Sequence, residues 1–346
     1  MKNNKILQDL GELGIIKILE KLIFKKTRKK LIRDDCFFYS LKNQSIQEVE
    51  PLDTIIFNSD MLVSSTDVPS IMNFYQIGRK SILMNISDLV VKGIVPKGLI
   101  ISLGLPRMMK LEEFRELMNG IIDYCLKWNL DYIGGDLNET NELIINPTVF
   151  GIQSNEHIIY RKGMKAGDLL ISNGKFGLTG VGFDILINKK GKLDEYIKFK
   201  RSIKSVIETD DLGVEAFILA ENYLATASID SSDGLFKSLK DLMISNPNLG
   251  FEIDYDQNLI DNEAIEYSQE FDIPLENLVF NGGEEFIHLF TINPELLDEV
   301  KAIIQEKGGN IFKIGRVIPK NSIFINNGER NIELKNYGFE HFRKTT

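Results

Sequence analysis

Short apolar segments that stop on acidic residues recur along this chain and restrict what it can fold into. Thr54-Ile55-Ile56-Phe57 runs into Asn58-Ser59-Asp60, and Leu130-Asp131-Tyr132-Ile133 into Gly134-Gly135-Asp136. Ala225-Thr226-Ala227-Ser228-Ile229 runs into Asp230-Ser231-Ser232-Asp233-Gly234, and Leu278-Val279-Phe280 into Asn281-Gly282-Gly283-Glu284-Glu285. The openings are rich in β-branched and aromatic residues and read as strands. Helical patterns separate them, over residues 111–128 and 211–223, and another is expected over residues 5–24. Strands and helices are intermixed, so the expected class is α/β or α+β.

The chain has 346 residues, enough for roughly two domains. A polar, turn-rich stretch over residues 151–167 carries Gln153, Ser154, Asn155, Glu156 and His157 and reads as a join. The expected division is therefore residues 1–152 and 153–346. A chain of this length buries about three quarters of its unfolded surface and needs no disulfide or metal staple to fold. Residues 93–105 form the longest apolar neighbourhood, but Pro96 and Lys97 interrupt it, so it reads as two short elements.

Charge and cysteine usage narrow the function classes. Asp and Glu total 50 against 41 Lys and Arg, a net charge of -9, which argues against a general nucleic-acid binder. The basic knot Lys25-Lys26-Thr27-Arg28-Lys29-Lys30 reads as a solvated helix end. Cys36 and Cys125 are far apart and outside any CxxC or Cys/His cluster, so zinc or thiol redox chemistry is not expected and a reducing cytoplasm is. The N-terminal stretch lacks the features of a signal peptide. No run of about 18 apolar residues exists to span a membrane.

The acidic positions carry the chemistry. Asp34, Asp35, Asp60, Asp88, Asp136, Asp230, Asp233, Glu284 and Glu285 all sit at or beyond apolar segments, several beside Gly, Ser or Asn. Taken singly, each is a good helix cap or turn residue. Gathered together, they would repel one another and raise their pKa values. Mg²⁺, which takes oxygen ligands from a few carboxylates and from phosphates, relieves that repulsion. Neighbouring glycines let backbone N–H groups approach a phosphate. The residues thus point to a Mg²⁺–polyphosphate site.

Other nucleotide signatures are missing. No GxxxxGK[ST] occurs, the glycine-rich residues 174–182 are out of register with GxGxxG, and the HRD and DFG pair of protein kinases is lacking. His157, His288 and His341 are scattered, and His288, within the apolar residues 286–290, reads as a core residue.

The motifs, in order, resemble those of the thiamine-monophosphate kinase family, of the superfamily that includes aminoimidazole ribonucleotide synthetase. Gly11-Glu12-Leu13-Gly14-Ile15-Ile16 resembles its GEF-x-LI opening, and Arg33-Asp34-Asp35-Cys36 its GDD box. Ser59-Asp60-Met61-Leu62-Val63 is similar to TDxLV, Asn85-Ile86-Ser87-Asp88-Leu89 to NxSDL, and Gly134-Gly135-Asp136 to GGD. Residues 161–168 resemble RxGAKPGD, residues 229–235 IDxSDGL, residues 282–286 GGEDYE, and Gly338-Phe339-Glu340-His341-Phe342 the closing GYDHF. Ser65-Thr66-Asp67-Val68-Pro69 is closer to the archaeal branch. The chain departs from the family where Arg33 replaces a Gly, Asp67 a substrate-contacting His of bacterial members, and Met164 and Ala166 soften the RxGAKPGD match.

The resemblance implies transfer of the γ-phosphoryl of ATP to thiamine monophosphate, giving thiamine diphosphate. It implies a two-domain aminoimidazole ribonucleotide synthetase-like fold whose N-terminal sheet domains pair in a homodimer, with a C-terminal α/β domain closing over the nucleotide. Asp35, Ser59, Asp60, Asp88, Asp136, Asp230 and Asp233 would hold several Mg²⁺ ions, with Asp136 and Asp233 closest to catalysis. Gly135, Arg161 and Ser232 would contact ATP, and Asp67, Glu284 and Phe339 the thiamine phosphate. The alternatives are a sister ATP-dependent enzyme and a non-catalytic nucleotide-binding subunit. Selenophosphate synthetase, with its reactive residue in a glycine-rich N-terminal loop, and the hydrogenase-maturation enzyme, with its C-terminal cysteine, fit the two cysteines poorly.

Overall fold

The computed structural model describes residues 11–28, 30, 33–40, 53–189, 193–209, 212–328 and 331–335. The first half comprises α1 (Gly11–Thr27), β1 (Phe37–Ser40), β2 (Thr54–Asn58), β3 (Leu62–Val63), α2 (Ser64–Asp67), α3 (Phe74–Val90), β4 (Pro96–Pro106), α4 (Leu111–Lys127), β5 (Asp131–Thr140) and β6 (Ile144–Gln153). The second half comprises β7 (Leu169–Ser172), α5 (Leu178–Phe183), α6 (Lys200–Ile207), α7 (Glu215–Glu221), β8 (Ala225–Ser231), α8 (Leu235–Ser245), β9 (Gly250–Asp254), α9 (Asn262–Phe271), α10 (Leu275–Asn281), β10 (Ile287–Ile292), α11 (Leu297–Glu306), β11 (Phe312–Ile318), β12 (Ile323–Asn326) and β13 (Asn331–Glu333).

The first sheet runs β1-β2-β6-β4-β5, with β3 also on β6. Among the described strands of this sheet, β4 and β5 run parallel, joined through α4, and the other pairings are antiparallel. Strict alternation decides its faces. Ile56, Leu99, Ile101, Leu103, Ile145 and Val149 point to the buried side, which α3 and α4 cover. Helix α3 starts on a capping box: Asn73 accepts from the Gln76 amide, and the Gln76 side chain accepts from the Asn73 amide. It lies close on α4, because a Cβ on Gly120 would stand 2.0 Å from the Tyr75 carbonyl oxygen. On the open face Ile100 and Ile133 remain 49% and 60% exposed, and Phe37 and Phe57 extend the apolar row.

The second sheet runs β13-β12-β9-β11-β7-β10-β8. One face packs on α8, α9 and α10, through Leu239, Tyr267 and Phe280 against Ile229, Phe251 and Leu289. The opposite face, with Ile171, Phe290 and Ile292, joins one hydrophobic cluster with Leu89, Val90 and Ile94 beside the first sheet. That shared cluster brings the C-terminal part of α3 against β8, and the functional site forms there.

Several expectations shift. Residues 278–280 are helical, within α10, because Pro274 can start a helix and a short apolar run does not distinguish the two periods. Gly134-Gly135-Asp136 lies inside β5 rather than past its end. Residues 93–105 supply a turn and then a single strand whose register shifts after Pro96 and after Leu99; Pro96 sits at the strand's first position, where no ladder donor is required. The helix expected over 211–223 is limited to Glu215–Glu221, and that expected over 5–24 is described as Gly11–Thr27, its first residues lying outside the described ones.

Candidate functional site

The acidic box Asp34-Asp35-Cys36 leads into β1 and is buried at Asp35 and Cys36. Two cations hold it. The Lys92 ammonium lies 2.9 Å from Asp34 Oδ1 and 2.5 Å from Asp35 Oδ2, and it donates to the Ser228 carbonyl of β8 at 2.8 Å. Arg161 donates through Nε to Asp35 Oδ1 at 2.7 Å, with its terminal nitrogen also on that oxygen, and through its amide to Asp34 Oδ2 at 2.9 Å. Burial pushes the Asp35 carboxyl up, but Arg161 and Lys92 together outweigh it and hold it below its ordinary value. Arg33 turns outward to a two-pronged pair with Glu20 of α1, at 2.7 and 2.8 Å. Beside this box a cleft of about 500 Å³ is lined by Glu20, Arg33, Asp34, Tyr160, Lys162, Ile244 and Ser245.

Asp35, Asp88 and Asp230 converge, with oxygens all within 4.8 Å of one another. Three separate elements deliver them: the segment before β1, the last two turns of α3, and the end of β8. Asn58 donates to Asp88 Oδ2 at 2.6 Å and to the Asp35 carbonyl at 3.1 Å. Ser87 donates to Asp230 Oδ2 at 2.8 Å. Burial, then the charges of Asp230, Asp60 and Asp35, drives the Asp88 carboxyl well above its ordinary range. Burial, then Asp35, pushes Asp230 up to about 7. Asp60 is also raised by burial and hydrogen-bonds with Asp88, while its backbone pairs with the Asn85 side chain at 2.8 and 3.0 Å. Four carboxylates thus meet in a poorly solvated place, where protons or cations must offset their mutual repulsion.

The remaining expected residues lie around this centre. Ser59 bonds the β6 strand, with Thr148 Oγ1 at 2.9 Å and the Pro147 carbonyl at 3.1 Å. Asp136 stands two strands from Asn146, across the register Asp136–Ser102–Asn146, on the same open face that Ser59 edges. Gly135 cannot carry a Cβ, which would stand 1.7 Å from the Ile101 carbonyl oxygen. Asp233 lies 3.9 Å from Lys237, at the start of α8. The Ser232 carbonyl accepts from the Glu284 amide at 2.5 Å. Glu284 pairs with Lys80 of α3 at 2.6 Å, and Lys80 also donates to the Asp67 carbonyl at 2.7 Å. Phe339 lies outside the described residues.

Lys92, Lys80, Asn58 and Ser87 were missed by the sequence reading. Lys92 had a signal: it is a charge inside the otherwise apolar Leu89-Val90-Val91-Lys92-Gly93-Ile94, and such a charge needs a buried partner. His288 is buried as expected, yet it faces Ser87 Oγ at 3.4 Å beside Asp230, its Nδ1 has no hydrogen-bond partner among the described residues, and burial presses it down to about 3.

This donor set suits a hard divalent cation: oxygen ligands, several negative charges and burial on rigid elements. The arrangement can therefore hold cations and, through them, phosphate oxygens.

The chain is similar to known proteins in sequence and in fold. The family described as "AIR synthase related protein, N-terminal domain" matches residues 34–153. The thiamine-monophosphate kinase of Nitrosopumilus maritimus is 31% identical over 96% of this chain and 99% of its own length. That of Pyrococcus abyssi is 30% identical over 92% and 93%, and that of Methanocaldococcus jannaschii 27% over 89% and 94%. Among solved structures, AaThiL complexed with AMPPCP and TMP superposes with a TM-score of 0.79 at 22% identity, over 98% of this chain and 100% of that one. Escherichia coli HypE, a hydrogenase maturation protein, shares the fold with a TM-score of 0.67 at 16% identity, covering 93% and 97%. Near full-length identity above 30% to the first of these kinases, together with the acidic centre, establishes that the chain belongs to the thiamine-monophosphate kinase family.

Proposed function

We propose that this chain transfers the γ-phosphoryl group of ATP to thiamine monophosphate, releasing ADP and thiamine diphosphate. The observation that carries this reading is the convergence of Asp35, Asp88 and Asp230 within 4.8 Å, in a chain whose relatives over nearly full length are thiamine-monophosphate kinases. Asp60, Asp88 and Asp230 would hold Mg²⁺ directly, with Asp35, Ser59, Asp136 and Asp233 completing the set as ligands are bound. Mg²⁺ held there supplies the charge neutralisation that two phosphate groups need before they can meet.

Little covalent work is left to the protein. The acceptor oxygen belongs to a phosphate that is already ionised at neutral pH, so no strong general base is required. The neutral, buried His288 is consistent with that. What the chain must do is position the donor and acceptor in line and exclude water. Gly135, Arg161 and Ser232 serve the ATP, Arg161 exchanging or sharing its Asp35 contact with phosphate oxygen. Asp67, Glu284 and Phe339 serve the thiamine phosphate.

The active form is proposed as a homodimer of two-domain subunits, divided near residue 152, in the cytoplasm. The dimer is supported by the open apolar face of the first sheet, with Phe37 and Ile133 61% and 60% exposed. Among the described residues no helix is long and apolar enough to cross a membrane.

A turnover assay with ATP, Mg²⁺ and thiamine monophosphate, following thiamine diphosphate by chromatography, tests the reaction. Wild type should make product and the Asp136→Asn variant should not. A folded wild-type protein that binds ATP and makes no thiamine diphosphate would overturn the reading.

A further inference from the structure

Lys80 joins two of the positions proposed to contact the acceptor. It lies on the buried side of α3 and is 4% exposed. Its ammonium donates to Glu284 Oε2 at 2.6 Å and to the backbone carbonyl of Asp67 at 2.7 Å. The Asp67 carboxylate is turned back on its own helix, accepting from the Val63 amide at 2.7 Å, so the Asp67 carbonyl, not its side chain, meets Lys80. Three chain segments therefore meet on one ammonium: the end of α2, the middle of α3 and the loop that follows α10.

The loop needs such a tether. Glu284 and Phe286 adopt left-handed backbone conformations, with φ of 59° and 50°. Non-glycine residues adopt that conformation rarely, and it persists only where surrounding contacts over-determine it. The Glu284 and Phe286 amides donate to the Ser232 and Ser231 carbonyls at 2.5 and 2.9 Å, and Glu285 between them accepts from the Gly177 amide at 2.8 Å. Those bonds orient the backbone. They do not orient the Glu284 carboxylate; the Lys80 pair does.

We infer that Lys80 is a positioning residue for acceptor recognition: it binds Oε2 of Glu284 and presents the rest of that carboxylate to a hydrogen-bond donor on the acceptor. This inference rests on the kinase reading above. The Glu284 side chain is 25% exposed and the Lys80 side chain 5%, so a ligand can reach the carboxylate but not the ammonium behind it. An aminopyrimidine, with its exocyclic amine, offers the donor such a carboxylate takes. The proposed ATP contacts at Gly135, Arg161 and Ser232 do not use the Glu284 carboxylate, since Ser232 meets Glu284 only through the backbone.

The test varies ATP and thiamine monophosphate separately in wild type, Lys80→Met, Lys80→Arg and Lys80→Met/Glu284→Gln. Lys80→Met should raise KM for thiamine monophosphate by roughly tenfold or more and leave KM for ATP within about twofold. Lys80→Arg, which keeps a cation, should recover part of that loss. The double variant should be no worse than Lys80→Met, since residues acting as a unit are non-additive. Should Lys80→Met fail to fold, Lys80→Arg against Glu284→Gln gives the same separation of the two KM values. Equal rises in both KM values, or a lower melting temperature with KM unchanged, would show a merely structural lysine and overturn the inference. An inactive but folded wild type would instead overturn the kinase reading, and the inference with it.

Discussion

The Lys92 ammonium lies 2.5 Å from Asp35 Oδ2, and neither side chain has any exposed surface. Lys92 also reaches Asp34 at 2.9 Å and the Ser228 carbonyl, so one cation fastens the acidic box, the end of α3 and β8 together. With Arg161 it balances the charges of Asp34 and Asp35. Asp88 and Asp230 hold hydrogen bonds from Asn58 and Ser87 in place of such pairs. The centre is thus divided: one part is neutralised by the protein itself, and the other calls for a bound cation.

Removing the Lys92 charge should destabilise the fold, because breaking a buried ion pair leaves an uncompensated charge worth about 3–5 kcal/mol. Lys92→Met is expected to lower unfolding free energy by an amount in that range, read by urea denaturation. A loss under about 1 kcal/mol would mean that the pair is not the tether described.

Asp88 is the converse case. Its carboxyl is raised well above the ordinary range by burial and by Asp230, so without a cation its ionised form strains the fold. Asp88→Asn should leave the melting temperature unchanged or higher and reduce turnover by roughly a hundredfold or more. Comparing both quantities in one preparation checks it; retained turnover would remove Asp88 from the site.

The rise of Asp230 to about 7 has a sign that can be measured. A carboxyl raised in the folded state stabilises below its unfolded value and loses that contribution as pH rises through the folded one. Without divalent cations, its share of stability should therefore fall between pH 3.8 and about 7. His288, pressed down to about 3, pulls the opposite way below its ordinary value of 6.5, and Asp88 and Asp60 are raised as Asp230 is, so the wild-type curve alone mixes several groups. The wild-type minus Asp230→Asn difference reads Asp230 together with its effect on Asp88, and Mg²⁺ should abolish its decline. A flat difference across that window would contradict it.

The open face of the first sheet gives a prediction about assembly. Ile100 is 49% exposed on an interior strand, with Phe150 on the neighbouring β6 and Phe57 on β2 beyond it, on the same face. Ile100→Glu should convert the proposed dimer into folded monomers by analytical ultracentrifugation. A wild-type monomer at micromolar concentration would refute the assembly.

The amino-acid order by itself determined the α/β class, the strands at Thr54 and Ala225, the helix over Leu111–Lys127 and every acidic position, because these depend on local propensity and pattern. It could not decide Leu278-Val279-Phe280, where three apolar residues suit either period and packing on α8 and α9 selected helix. Nor could it place Asp136 within a strand, since that depends on Gly135 passing the Ile101 carbonyl of β4. Tertiary structure alone brought Asp35, Asp88 and Asp230 to one point and joined Lys80 to Glu284, 204 residues away. The physical reason is that burial decides which carboxylates keep their charge and which require a partner, and burial is a property of the assembled layers rather than of any segment.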